Sequence, residues 1–173
     1  MKGKFKNWYI LLIVVGIIFI DQISKIIARS AIEFHSHINV LGEYLVLTKV
    51  ENTGAFLGLG NSLSPLFFRL FMILIPLALI VYAFYYLIKK NDLPTVVVVA
   101  ISFFIGGGLG NIIDRMIFGS VTDFIYMDFI LFHTGILNLA DVFVTFGFFL
   151  ILYELIFHKK ELDEKEKGLK EQK

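Results

Sequence analysis

The sequence predicts an all-α polytopic membrane protein with four transmembrane helices and a small extracytoplasmic β element. Three observations carry that prediction. Hydrophobic residues make up 57% of the 173 residues, and the mean hydropathy is +0.79, well above the roughly 45–50% apolar content of soluble domains. These residues gather in four runs, at about 8–31, 65–88, 93–116 and 135–157. Lysines cluster at Lys2, Lys4 and Lys6, at Lys89-Lys90 and at Lys159-Lys160. With four spans, all three clusters and both termini share one side, and the positive-inside rule makes that side the cytoplasm.

Each element has its own signals. Span 1 carries Asp21, Gln22, Ser24, Lys25 and Arg29 after its apolar part. At ~1.5 Å per residue, Asp21 lies ~20 Å outward from Trp8 in a ~30 Å hydrocarbon layer. Lys25 and Arg29 then reach the outer boundary, where they can snorkel. Asp21 and Lys25 are spaced i,i+4, on one helix face with the acid first, the favourable order for an ion pair. Two readings stay open: a bland salt bridge, or a pair pointing into a polar site between spans. The basic start and short apolar core of span 1 also resemble a signal peptide, but the charged stretch is too long, and a retained span fits better.

Alternation in Tyr44-Leu45-Val46-Leu47-Thr48-Lys49-Val50 predicts a strand, within an outer β element over about 44–60. Span 2 begins at Pro65, holds Pro76 as a candidate kink, and reads as scaffold. Span 3 contains Gly106, Gly107, Gly108 and Gly110, the small-residue pattern that lets helices approach closely. Packing does not explain Asn111, Asp114 and Arg115, which share one face at its outer end. In span 4, Asn138, Asp141 and Thr145 form a polar stripe, with Asp141 ~6 Å beneath the outer boundary. Asp123 lies beyond span 3, in a segment whose Phe124, Ile125, Phe129 and Phe132 suit the bilayer surface. Residues 1–158 read as one membrane domain and 159–173 as a charged cytoplasmic tail.

Composition excludes several classes. Cysteine is absent, so there is no disulfide, thiol nucleophile or thiolate metal site. The net charge of +1 comes with no basic face suited to nucleic acid. His35, His37, His133 and His158 show no metal-ligand spacing. No metal and no cofactor are expected, and the partners expected are membrane lipid and substrate rather than nucleic acid.

What remains is a pair of carboxylates, Asp123 and Asp141. A carboxylate at a span centre costs ~3 kcal/mol, so such residues are functional hypotheses by default. Two close carboxylates in a low-dielectric site cannot both ionise cheaply, so one keeps its proton. That supplies a base to activate water and an acid to protonate the leaving group. A small ion-coupled transporter using Asp21, Asp114 and Asp141 is the alternative. Against it stand the clustering of the acids at one face and the lack of inverted repeats.

The chain resembles the bacterial lipoprotein signal peptidases (signal peptidase II), four-span membrane aspartyl proteases. Five blocks carry the resemblance: Asp21-Gln22-x-x-Lys25, Asn52-Thr53-Gly54-Ala55-Phe56, Gly107-Gly108-x-Gly110-Asn111-x-x-Asp114-Arg115, Val121-Thr122-Asp123-Phe124-Ile125 and Asn138-Leu139-Ala140-Asp141. The second block is one alanine shorter than the usual pattern, and the last opens with Leu137-Asn138 where Phe-Asn is usual. The resemblance implies that Asp123 and Asp141 are the catalytic dyad. It implies that Asn52, Gly54, Asn111, Arg115 and Asn138 bind substrate, and that Asp21, Lys25 and Asp114 support them. The implied substrate is a diacylglyceryl-modified prolipoprotein, cleaved just before its lipidated cysteine. The implied setting is the bacterial cytoplasmic (inner) membrane, with the site near the outer face; a monomer is expected.

Overall fold

The computed structural model describes residues 4–54, 64–129 and 132–171. In chain order the elements are α1 (Lys4–Ala31), β1 (Ile38–Leu41), β2 (Leu45–Asn52), α2 (Pro65–Phe68), a π-helical turn (Arg69–Leu74), α3 (Ile75–Lys89), α4 (Thr95–Phe118), β3 (Val121–Met127) and α5 (Leu139–Glu171). Among the described residues, four stretches are long and apolar enough to cross a membrane: Asn7–Ala31, Leu66–Lys89, Thr95–Phe118 and Leu139–Phe157.

The second stretch is built from α2, the π-helical turn and α3. Pro76 stands near the start of α3. It has no N–H to give the preceding turn, and the π-helical winding of Arg69–Leu74 lies directly before it. The expected irregularity at Pro76 is therefore a change of winding.

α4 is the central helix and packs on α1, α3 and α5. Of its apolar window 44% is buried inside the protein, against 6% for the second stretch, so the latter is the peripheral, lipid-facing helix. Glycines allow this crowding. A Cβ at Gly106 would meet the Ile17 side chain, and one at Gly110 would fall 2.5 Å from Asp21 Oδ2. A Cβ at Gly107 would lie 2.5 Å from the Ala140 carbonyl of α5. Gly106 and Gly110 thus seat α1, while Gly107 seats α5.

The three strands form an antiparallel sheet in the order β1-β2-β3. It stands at the end of the bundle where α1 and α4 finish and α5 begins; we call this the sheet end. β3 pairs with β2 through Val50↔Asp123, Glu51↔Thr122 and Asn52↔Val121, beyond an irregularity between Leu47 and Val50.

Several sequence expectations change here. The β element expected at 44–60 is a sheet that also takes in β1 and β3, while residues 55–63, including Ala55 and Phe56, lie outside the described residues. Asp123 sits on a strand. Phe124 is buried against Ala28 and Ile32 rather than on a bilayer surface, whereas Phe129 and Phe132 are exposed and stack on each other. The fourth helix starts at Leu139, not near 135, because Asn138 ends the extended segment that bridges to Ile125 through Leu137. Its backbone stays helical to Glu171.

Candidate active site

The polar chemistry begins with an ionic lattice between α1 and α4. Lys25 and Asp21 are fully buried, and Lys25 Nζ lies 2.8 Å from Asp21 Oδ2 and 3.3 Å from Asp114 Oδ2. Arg29 Nη2 reaches Asp114 Oδ2 at 2.9 Å. Gln22 Nε2 donates to Asp21, to Asp114 and to the Gly110 carbonyl. Two acids thus meet two bases, which is what makes buried charge tolerable. The pair at Asp21 and Lys25 points between spans, and neither Lys25 nor Arg29 snorkels. Asp114 forms its ion pairs with Lys25 and Arg29, and its charge is also felt by its neighbour Arg115.

This lattice sets the start of α5. Asn138 is the N-cap: its Oδ1 accepts from the Asp141 N–H at 3.0 Å, and Asp141 Oδ2 accepts from the Asn138 N–H at 3.3 Å. That is a reciprocal capping box. Asp21 Oδ1 accepts from the Ala140 N–H at 2.9 Å, so a carboxylate of α1 satisfies a free donor of α5.

Both candidate carboxylates are held by amides. Asn138 Nδ2 donates to Asp123 Oδ1 at 2.6 Å and to Asn111 Oδ1 at 3.1 Å. Asn52 Nδ2 donates to Asp123 Oδ2 at 2.9 Å. Asn111 Nδ2 donates to Asp141 Oδ1 at 2.8 Å, and its Oδ1 accepts from Lys25 Nζ at 2.9 Å. Asn138 and Asn111 therefore tie the two aspartates into one network. Burial, and then the neighbouring Asp141 charge, push the Asp123 carboxyl up to about 7, against the opposing pull of the Asn52 and Asn138 amides. Arg115 interacts electrostatically with both aspartates. Its Nη2 donates to the Gly54 carbonyl at 2.7 Å, while the Gly54 N–H donates to Asn52 Oδ1 at 2.9 Å. The turn at Asn52-Thr53-Gly54 is thus a side-chain-closed turn that also aims Asn52 at Asp123.

All ten residues singled out in the sequence converge: Asp21, Lys25, Asn52, Gly54, Asn111, Asp114, Arg115, Asp123, Asn138 and Asp141. Thr145 does not join them, being exposed. Sequence reasoning missed a clamp beside Asp123. Thr122 Oγ1 accepts from Arg29 Nε at 2.8 Å and donates to Glu51 Oε1 at 2.7 Å. Ser120 donates to the other Glu51 oxygen. The motif block around Asp123 includes Thr122, but only the pairing of Glu51 with Thr122 reveals its part. Among the described residues, no group of three or more His, Asp and Glu side chains stands ready to hold a metal ion.

Comparison with known proteins fits this geometry. The family described as "Signal peptidase (SPase) II" matches residues 13–157. A lipoprotein signal peptidase of Pelagibacter ubique (strain HTCC1062) is 32% identical over 167 residues, covering 95% of this chain and 98% of that one. A lipoprotein signal peptidase of Staphylococcus aureus (strain JH9) is 33% identical over 160 residues, covering 92% and 94%. A solved bacterial membrane enzyme, determined by the in meso method at 2.3 Å, superposes with a TM-score of 0.81 at 30% identity. That superposition covers 93% of this chain and 95% of the other.

Proposed function

We propose that this chain, which belongs to the signal peptidase II family, is a membrane aspartyl endopeptidase that removes the signal peptide from diacylglyceryl-modified prolipoproteins. The cut falls on the peptide bond before the lipidated cysteine. The observation that carries the reading is the pair of carboxylates, Asp123 and Asp141, held in one network by the amides of Asn111 and Asn138.

Charge accounting supports it. Asp21 and Asp114 are matched by Lys25 and Arg29. That leaves Arg115 facing the two aspartates, and neutrality is met when the pair carries one negative charge, that is, one shared proton. In that state the ionised carboxylate takes a proton from a water molecule as the water oxygen attacks the scissile carbonyl carbon. The protonated carboxyl gives its proton to the carbonyl oxygen. The gem-diol intermediate then collapses: the leaving nitrogen takes a proton from the dyad as the C–N bond breaks, and one hydroxyl returns its proton to the dyad as it becomes the product carboxyl's C=O, which restores the one-proton state. The two groups titrate as a unit. Arg115 and Asn52 are suited to hold the substrate backbone beside the dyad, and Asp21, Lys25 and Asp114 keep α1, α4 and α5 in place.

We further place the sheet end at the outer face and both termini in the cytoplasm, following the three lysine clusters. A substrate whose acyl chains and signal helix lie in lipid meets its peptidase at that boundary. The test is cleavage of a diacylglyceryl prolipoprotein by the purified protein in lipid nanodiscs, with proton flux measured alongside. Signal-peptide release by wild type and none by Asp141→Asn supports the reading. Release by Asp141→Asn at a substantial rate, or proton flux without cleavage, overturns it.

A further inference from the structure

Beside Arg115 an open groove of about 660 Å³ lies between α4 and the second membrane stretch. Phe68, Arg69, Ile73 and Leu74 line one side, and Arg115 and Met116 the other. Arg69, Ile73 and Leu74 all belong to the π-helical turn. Such turns are rare and frequent at functional sites. Here the wider winding displays a cation and two apolar side chains along one wall.

The groove's chemistry is graded. Its two guanidiniums, Arg69 and Arg115, have no carboxylate beside them in the described lining. Arg115 spends Nη2 on the Gly54 carbonyl, while its Nε is buried without a hydrogen-bond partner among the described residues. Ile73 and Leu74 lie about one turn further from the sheet end than Arg69; Ile73 forms the groove's apolar floor against the core, and exposed Leu74 continues into lipid-facing surface. A fitting ligand therefore has acceptor oxygens at its neck and hydrocarbon below.

We propose that this groove is the seat of the diacylglyceryl group of the substrate, with Arg69 and Arg115 donating to its ester oxygens and the acyl chains lying along Ile73 and Leu74. The assignment rests on the peptidase reading above. Continuity with the site selects this occupant over a bystander phospholipid. Arg115 faces both aspartates and also lines the groove. The lipidated cysteine adjoins the scissile bond, so its lipid must leave the dyad within a few ångströms. The proposal assigns Arg69 as a substrate-binding residue and gives the π-helical turn a purpose.

The test uses the full chain in nanodiscs and a lipobox peptide whose cysteine carries diacylglyceryl with a photoreactive group in one acyl chain. Crosslinks from Asp141→Asn protein are mapped, and kcat and KM are measured with dioctanoyl and dipalmitoyl substrates. Crosslinks on residues 68–74 and Met116 support the proposal. So does a rise in KM of about tenfold for Leu74→Trp, at an exposed groove position, with the long-chain substrate alone, kcat holding, as expected when a bulky ring fills an apolar subsite. Arg69→Gln raises KM about three- to tenfold for both substrates through lost hydrogen bonds to ester oxygens. Leu79→Trp, on exposed α3 surface away from the groove, leaves both constants unchanged. Crosslinks confined elsewhere overturn the proposal. So does an Arg69→Gln effect seen only when the nanodisc contains phosphatidylglycerol, which would make the occupant an anionic lipid. If wild type does not cleave, the peptidase reading falls, and the crosslink map alone still decides the groove.

Discussion

Three buried carboxylates and the half-buried Asp141 crowd the sheet end of this bundle, and they keep two kinds of company. Asp21 and Asp114 face the cations of Lys25 and Arg29 at 2.8 to 3.3 Å. Asp123 and Asp141 accept hydrogen bonds from amides: Asn52, Asn138 and Asn111. A cation fixes a carboxylate in its ionised form. An amide orients a carboxylate without bringing a full charge, so the group keeps its affinity for a proton. The same residue type thus becomes scaffold in one place and, on our reading, an acid–base pair a few residues away. Burial and the Asp141 charge push the Asp123 carboxyl up to about 7, and its amides oppose that only in part.

Exchanging the carboxylates tests the contrast most strongly. Asp123→Asn or Asp141→Asn is expected to cut kcat for prolipoprotein cleavage by roughly 10⁴ or more, with the double variant little worse than either single one. Neither change should unfold the protein. The raised Asp123 pKa gives stability that is present below the unfolded-state value of about 4 and is lost as pH rises through about 7. Asp123→Asn has no such loss, so its thermal midpoint relative to wild type should improve as pH rises from about 4 to about 7 and change little beyond.

Breaking the ionic lattice should do the reverse. Lys25→Met leaves Asp21 without its cation, and removing one partner of a buried pair costs about 3–5 kcal/mol. Denaturation in detergent should show that loss. In the folded fraction that remains, the high-pH limb of activity should move upward, because Lys25 also holds the Asp123 carboxyl down and anchors Asn111. A shifted profile with unchanged stability would reverse the roles assigned here.

Smaller changes sharpen the division. Asn52→Ala removes a hydrogen bond that favours ionised Asp123, so the Asp123 pKa rises further. The high-pH limb of kcat should move upward, with kcat falling by about tenfold. Thr122→Val, which loses charge-assisted links to both Arg29 and Glu51, should lower kcat by about two- to fivefold with KM unchanged, since neither bond touches the dyad and only part of their ~1.5–3 kcal/mol each reaches it. A Thr122→Val protein with raised KM and normal kcat would mean that the clamp serves binding instead.

The spans were legible because length and hydropathy suffice to find them, and the ten converging residues because their motif blocks are local. The failures share a cause: partners that lie far apart in sequence. Arg29 sits where a boundary residue would snorkel, and only the approach of α4 turns it toward Asp114. Asp114 adjoins Arg115 in sequence, yet a helix points neighbours in different directions, and its partners come from α1. Val121–Met127 lacks a clean alternation and forms a strand because β2 pairs with it on one side and Leu137 bridges it on the other. β1 is exposed at every residue and so carries no burial pattern to read.

The capped start of α5 has a mechanical consequence. Asp21, Asn138 and Asp141 fasten its first turn to α1 and to the segment before it, and Gly107 presses against the Ala140 carbonyl just there. A helix anchored at one end cannot slide along its axis. When the bilayer thins or thickens, spanning helices adapt by tilting or shifting, and α5 must take up the mismatch at its far end, around Phe157 and beyond. The sheet end then behaves as a fixed datum from which bilayer thickness is measured, and the spacing of Asp123 and Asp141 is insulated from the lipid in which the protein sits.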